Sequence, residues 1–166
     1  SMDIHRYEKL WLAASLALIV LFIGTVTYGA VGVGVEMVSA SGGTLAPDDI
    51  ADHPQFGSPD VERTGEGEYQ VHVVARQFFF QPSEIQVPAD SEITFYVTSA
   101  DVIHGFSVAG TNTNVMVIPG QVSEITVVYD EPGTYGVVCN EYCGAAHHTM
   151  AGTLEVVPQS EWEGGN

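Results

Sequence analysis

Basic side chains are nearly absent: Arg6, Lys9, Arg63 and Arg76 stand against 21 Asp and Glu, leaving a formal net charge of −17 in 166 residues. So acidic a surface repels phosphate backbones, which excludes nucleic acid as a partner. Cysteine is equally scarce, at two residues, and this excludes a small scaffold stapled by several disulfides. No segment recurs at the periods of solenoids or propellers, so the chain is not a repeat array. Charge is also missing from one long stretch, the 26 residues of Leu10–Val35, LWLAASLALIVLFIGTVTYGAVGVGV.

As a helix this run would be roughly 39 Å long, more than the hydrocarbon core of a bilayer at about 30 Å. A secretory signal peptide is the alternative, with VSA before Ser41 as its cleavage site. Signal peptides, however, carry apolar regions of only about 7–15 residues. The run has no polar face, which argues against a helix packed on a soluble core. The sequence therefore predicts a retained membrane anchor. Ahead of it, Arg6 and Lys9 balance Asp3 and Glu8, so the whole negative charge arises after the anchor. Half of all Lys and Arg lie in that stub, which favours a cytoplasmic N-terminus. The acidic remainder is then expected on the extracellular or periplasmic side of the plasma membrane. Its charges are scattered instead of clustered, as suits a surface kept hydrated in brine, and a halophilic habit is expected.

Four segments follow from composition. Residues 1–36 are stub and anchor. Residues 37–68, rich in Gly, Pro, Ser and Asp, are a tether with a short helical turn near Asp48–Asp52. Residues 69–158 hold short apolar runs between turn signals, namely YQVHVVA, SEIQVPAD, EITFYVTS, HGFSVAG, NVMVI, SEITVVYD, GTYGVVC and GTLEVV. Such spacing predicts an antiparallel sandwich or barrel and not a parallel βαβ fold. Pro88 marks its run as an edge strand. Residues 159–166 are a tail.

Both cysteines fall in CNEYCGAAHHTM, Cys139 to Met150. A disulfide would be the plain reading, but so small a loop gains little from closure, and a bridge leaves His147 and Met150 unexplained. Thioether, imidazole and thiolate together are a soft ligand set that suits copper; zinc wants four strong tetrahedral ligands. A blue copper centre needs one Cys, two His and an axial Met, which would leave Cys139 surplus. Two thiolates can instead bridge two copper ions, each with one imidazole. An added electron then spreads over both metals and bond lengths change little, the property of a redox relay.

The second imidazole must come from upstream. His5 lies before the anchor, His53 in the tether and His72 within an alternating strand, while His148 adjoins His147 and is expected to point away from it. His104, after a turn in SADVIHGFSV, starts a strand where it can meet the loop. Asp101 is placed to orient it by a hydrogen bond.

CNEYCGAAHHTM with the upstream DVIHGF resembles the binuclear copper A centre of subunit II of haem–copper terminal oxidases (cytochrome c oxidase). FFFQPSEIQVPADSEITF, GTNTNVMVIPGQVS and AGTLEVV extend the likeness, and YEKLWLAASLAL resembles the single-anchor subunit of the B-type (ba-type) branch. The resemblance implies a mainly β, cupredoxin-like Greek-key sandwich behind one N-terminal transmembrane helix. It implies two copper ions held by the side chains of His104, Cys139, Cys143, His147 and Met150 and by the backbone carbonyl of Glu141. An external cytochrome c or small blue copper protein would supply electrons, and haem in the partner subunit I would receive them for oxygen reduction and proton pumping. The chain would be part of an enzyme and not catalytic alone. Glu8 matches a glutamate at the entrance of a proton-uptake path, and Phe78 is the candidate for electron entry among Phe78, Phe79 and Phe80. In A-type relatives the Glu at position 141 also helps hold magnesium, which is not expected here. A tethered blue copper carrier and a copper-delivery or thiol-redox protein are the alternatives.

Overall fold

The computed structural model describes residues 5–32, 42–162 and 164. The end of the apolar run at Val33–Val35, the VSA site and the first residues of the tether lie outside them. The chain divides into two compact units, Ser1–Met37 and Val38–Asn166.

The first unit is one helix, α1 (Arg6–Gly32). Its Arg6–Gly29 stretch has a mean hydropathy of 2.3. Leu10, Trp11, Leu16, Leu18, Val20 and Phe22 project on all sides and are exposed. A helix apolar all round is stable in a membrane or inside a large core, and together with the β unit described next this fits a single-pass membrane protein. At its start the Glu8 carboxylate accepts the backbone N–H of His5 at 2.9 Å, satisfying one of the donors that a helix N-terminus leaves over.

The second unit is a two-sheet β-sandwich. Its strands are β1 (Val61–Gly65), β2 (Glu68–Arg76), β3 (Phe79–Gln81), β4 (Glu84–Pro88), β5 (Glu92–Ser99), β6 (His104–Val108), β7 (Asn114–Val117), β8 (Val122–Val128), β9 (Gly133–Val138) and β10 (Ala151–Val157). One sheet runs β1-β2-β5-β8 with β3 on β2, the other β4-β10-β9-β6-β7. Pro88 ends an edge strand, as its missing N–H requires. Alternation does the packing: Val71, Val73, Phe95 and Val97 from one sheet meet Phe106, Val137, Leu154 and Val156 from the other. Phe80 and Phe95 each set a ring 5.5 Å from Phe106.

The sequence predicts antiparallel pairing, and most pairs comply, but β2·β5 and β4·β10 are parallel. Between β2 and β5 the chain crosses to the other sheet as β4 and returns, so β5 re-enters beside β2 in the same direction. A period of two in the sequence reports which face is buried and carries no information on strand direction.

The segment expected to be a tether over 37–68 is built into the sandwich wherever it is described. A 3₁₀ turn at Pro47–Asp52 matches the expected helical turn, and β1 pairs antiparallel with β2. Leu45, Ile50 and Phe56 are buried against Val74 and Val122. The reason lies in β2: Tyr69, Val71, Val73 and Ala75 face the core, which puts His72 and Val74 on the outer side, and both are buried there. The third valine of VHVVA, Val74, breaks the alternation and was the signal that the outer face is covered. The tail is also anchored, since Trp162 packs against Tyr69 with ring centroids 4.7 Å apart and donates its indole N–H to the Gln86 carbonyl at 3.3 Å.

His72 makes that outer packing sensitive to pH. Its ring stacks on Tyr96 at 5.3 Å and meets the edge of Phe56 at 5.1 Å. Burial pulls its pKa below the ordinary value, outweighing the Glu62 carboxylate that raises it, while His53 lowers it further. A lowered histidine pKa means the neutral form is the folded one, so this stability is present above about 6.5 and is lost as pH falls below it. Limited proteolysis between residues 44 and 60 is expected to accelerate below that pH, and His72→Phe should flatten the dependence.

Candidate metal centre

Strand β9 ends at Val138 and delivers Cys139; β10 begins at Ala151, just after Met150. The loop between is bracketed by the Cys139 N–H, which donates to the Met150 carbonyl at 3.2 Å. Within it a 3₁₀ turn at His147–Thr149 is fixed by Thr149 Oγ1, which donates to the Ala146 carbonyl at 2.7 Å. These bonds turn a polar loop into a rigid bend.

The bend brings its sulfurs together. Cys139 Sγ and Cys143 Sγ are 3.8 Å apart, and Met150 Sδ lies 3.7 Å from Cys143 Sγ. All three are buried and the cysteines are unbridged. His147 Nδ1 is 3.5 Å from Cys143 Sγ. His104 opens β6, is completely buried, and presents Nδ1 at 3.8 Å from Cys139 Sγ. The two imidazoles thus approach different thiols. The ligand atoms of His104, Cys139 and Cys143 lie within 4.8 Å of one another. The Cys139 thiol donates to the Glu141 carbonyl at 3.1 Å, which puts a sixth donor atom in reach. Burial pushes the Cys143 thiol up to about 11, with neighbouring Cys139 adding to the effect. A metal ion bound by this sulfur must therefore displace a proton.

Asp101 fixes the His104 tautomer. Its Oδ1 accepts from His104 Nε2–H at 2.7 Å, so the lone pair sits on Nδ1, facing the sulfurs. Partial burial would raise the Asp101 carboxyl, but its bonds from His104 and from the Gln77 and Val102 N–H groups more than offset this and hold it low.

The other sequence candidates lie elsewhere. His148 is exposed. The His53 Nδ1 accepts the backbone N–H groups of Gln55 and Phe56, each at 3.3 Å, and His72 belongs to the outer cluster. His5 and Glu8 are in the helical unit. Within the Phe triplet the exposed ring is Phe79, at 47 %, not Phe78. Phe78 is half-buried, and its ring lies 3.1 Å from where a Cβ on Gly144 would project. Alternation along the chain turns Phe79 outward and leaves Phe78 against the cysteine loop.

Sequence reasoning missed Gln77, Gly105 and Gly144. A Cβ on Gly105 would come 1.9 Å from Asn140 Oδ1 and 3.0 Å from the Glu141 nitrogen, so this glycine lets the loop lie flat on β6. A glycine inside a strand directly after a candidate ligand was the available signal.

The chain resembles known proteins along nearly its whole length. The family model described as cytochrome C oxidase subunit II, periplasmic domain, matches residues 69–157. A cytochrome c oxidase subunit 2 of Thermus thermophilus is 42% identical over 158 residues, covering 92% of this chain and 93% of that one. Among solved structures, a heme-copper terminal oxidase dimer contains a chain 32% identical to this one, with a TM-score of 0.73 over 92% of this chain and all of that chain. The periplasmic domain of subunit II of a Bradyrhizobium japonicum cytochrome oxidase, at 24% identity and a TM-score of 0.52 over 55% of this chain, shares the sandwich fold.

Proposed function

Because this chain belongs to the cytochrome c oxidase subunit II family, whose members are parts of haem–copper oxidases, we propose that it is the electron-entry subunit of such an enzyme. The observation carrying this reading is the buried, unbridged thiol pair 3.8 Å apart with imidazoles approaching it from two elements. His104, Cys139, Cys143, His147 and Met150, with the Glu141 carbonyl, form a soft donor set suited to two copper ions. Bound there, the pair would accept single electrons and hold each one delocalised. The protein's part is to brace the donors: Asp101 holds His104 in one tautomer, and the backbone bonds of the loop resist rearrangement. Burial of both thiols keeps water from the sulfurs.

Exposed apolar side chains gather around this end of the sandwich. Val102 and Ile103 precede His104, Val138 precedes Cys139, Tyr142 lies in the loop, and Met116 pairs with Gly105; all are exposed. They support docking of an external donor, a cytochrome c or small blue copper protein, with Phe78, which lies against Gly144 of the cysteine loop, as the point of entry. Electrons would leave for haem in subunit I. The helix would cross the plasma membrane with its N-terminus in the cytoplasm and the copper domain outside, placing Glu8 at the inner edge as a proton-uptake residue. The one apolar helix ahead of the sandwich, with the likeness of YEKLWLAASLAL, favours the B-type branch. The Glu141 side chain is exposed, and no magnesium role is assigned to it.

The copper content and electron spin resonance spectrum of the detergent-solubilised chain test the proposal. A pair of coppers sharing one unpaired electron, purple in colour, is expected; a single intensely blue copper would make the protein a mobile carrier instead. Colourless bound Cu(I) would make it a delivery protein. The halophilic reading has its own test. The scattered −17 should make the unfolding temperature drop as salt is diluted, and indifference to salt would remove it.

A further inference from the structure

We propose that Gln77 is a positioning residue that ties the two halves of the copper site together, an inference that rests on the copper assignment above. Gln77 sits in the turn between β2 and β3, outside the loop and outside the strand that supply the ligands. Its backbone N–H donates to Asp101 Oδ2 at 2.7 Å, and Asp101 in turn holds His104 at 2.7 Å. Its side-chain amide, Nε2–H, donates to the carbonyl of Cys143. One residue therefore reaches the His104 side through its main chain and the cysteine loop through its side chain.

The geometry gives the side-chain bond a specific task. The Cys143 carbonyl immediately precedes Gly144, where φ is +130° and the chain turns toward His147. A Cβ at Gly144 would lie 2.8 Å from Gln77 Nε2 and 3.2 Å from Phe78 Cζ. The turn thus rests directly on residues 77 and 78. Nothing else among the described contacts joins the β2–β3 turn to this carbonyl by a hydrogen bond. Without the amide donor the peptide after Cys143 is free to rotate, and the Cys143 sulfur moves with it relative to Cys139 and Met150. Outer partners of metal ligands typically change metal affinity by about 10–100-fold, and Gln77 acts through the backbone of a ligand, so the lower end of that range applies.

The test uses the full chain, copper-loaded in detergent. Gln77→Leu keeps much of the bulk of the side chain but removes the donor; Gln77→Glu keeps the shape and replaces the donor by an acceptor. Gln77 is exposed, so neither change threatens the core, and thermal unfolding of the metal-free chain checks this. Both variants are expected to lose copper to a chelator about tenfold faster than the wild type and to shift the thiolate-to-copper absorption bands. A packing role alone would leave Gln77→Leu with wild-type release and wild-type bands, and that result overturns the proposal. Failure of the wild type itself to bind a copper pair is a different result, one that overturns the function proposed above and not this contact.

Discussion

Cys139→Ser is expected to abolish the paired copper signal and leave a single ion or none, while the sandwich still folds. Serine is nearly isosteric, and its hydroxyl can donate to the Glu141 carbonyl as the thiol does at 3.1 Å, so no buried polar group is orphaned. Oxygen, however, is a hard donor and a poor substitute for thiolate toward copper. With one bridging atom gone, the remaining sulfur of Cys143, two imidazoles and Met150 make at best a single-metal site. Electron delivery to the partner oxidase should drop by more than about 100-fold, beyond the range seen when only an outer partner of a ligand is lost. Metal analysis, the spin resonance spectrum and oxidase turnover with a soluble donor check this. An unchanged paired spectrum would take Cys139 out of the site.

The second large effect leaves every ligand in place. Gly144→Ala forces a side chain into a backbone with φ of +130°, a conformation that L residues rarely adopt and that costs about 1–3 kcal/mol. The new methyl would also press on Gln77 Nε2 at 2.8 Å and on the Phe78 ring at 3.1 Å, adding overpacking of about 1–3 kcal/mol. Gln77 is exposed and can yield, so the backbone contribution dominates and a total of about 2–4 kcal/mol is reasonable. The metal-free chain should melt about 10 °C lower. Copper uptake should fall as well, because relief of the strain displaces His147, which follows through the Gly144 carbonyl that its N–H bonds at 3.1 Å. Equal melting temperatures for the mutant and the wild type would contradict this account. Gly105→Ala should escape the backbone penalty, since φ there is ordinary, but its methyl would still press on the Glu141 nitrogen at 3.0 Å even if the Asn140 amide swings aside.

The candidate donors were legible because their chemistry is local: two thiols, an imidazole and a thioether within twelve residues have few other uses. His104 was also within reach of reasoning, since position at a strand start narrows the choice among six histidines. Asp101 was expected beside His104 and bonds it at 2.7 Å, but what holds the cysteine loop could not be read. Gln77 lies 66 positions from Cys143, and glutamine beside three phenylalanines looks like any turn residue until the two are seen in contact. Phe79 and not Phe78 is the exposed ring for the same reason, because alternation says that neighbouring rings face opposite ways but not which of them the cysteine loop covers.

Composition and periodicity by themselves determined the apolar helix, the strand-rich domain, the edge at Pro88 and the clustering of candidate soft donors between Cys139 and Met150. These depend on neighbours a few residues apart and on the length of a charge-free run. The tertiary structure alone decided that residues 44–65 belong to the sandwich, that two strand pairs run parallel, and that one glutamine links the halves of the site. Each of those depends on which distant surfaces need covering or bonding, and burial of an outer face or a lone carbonyl becomes a demand only once the sheets exist.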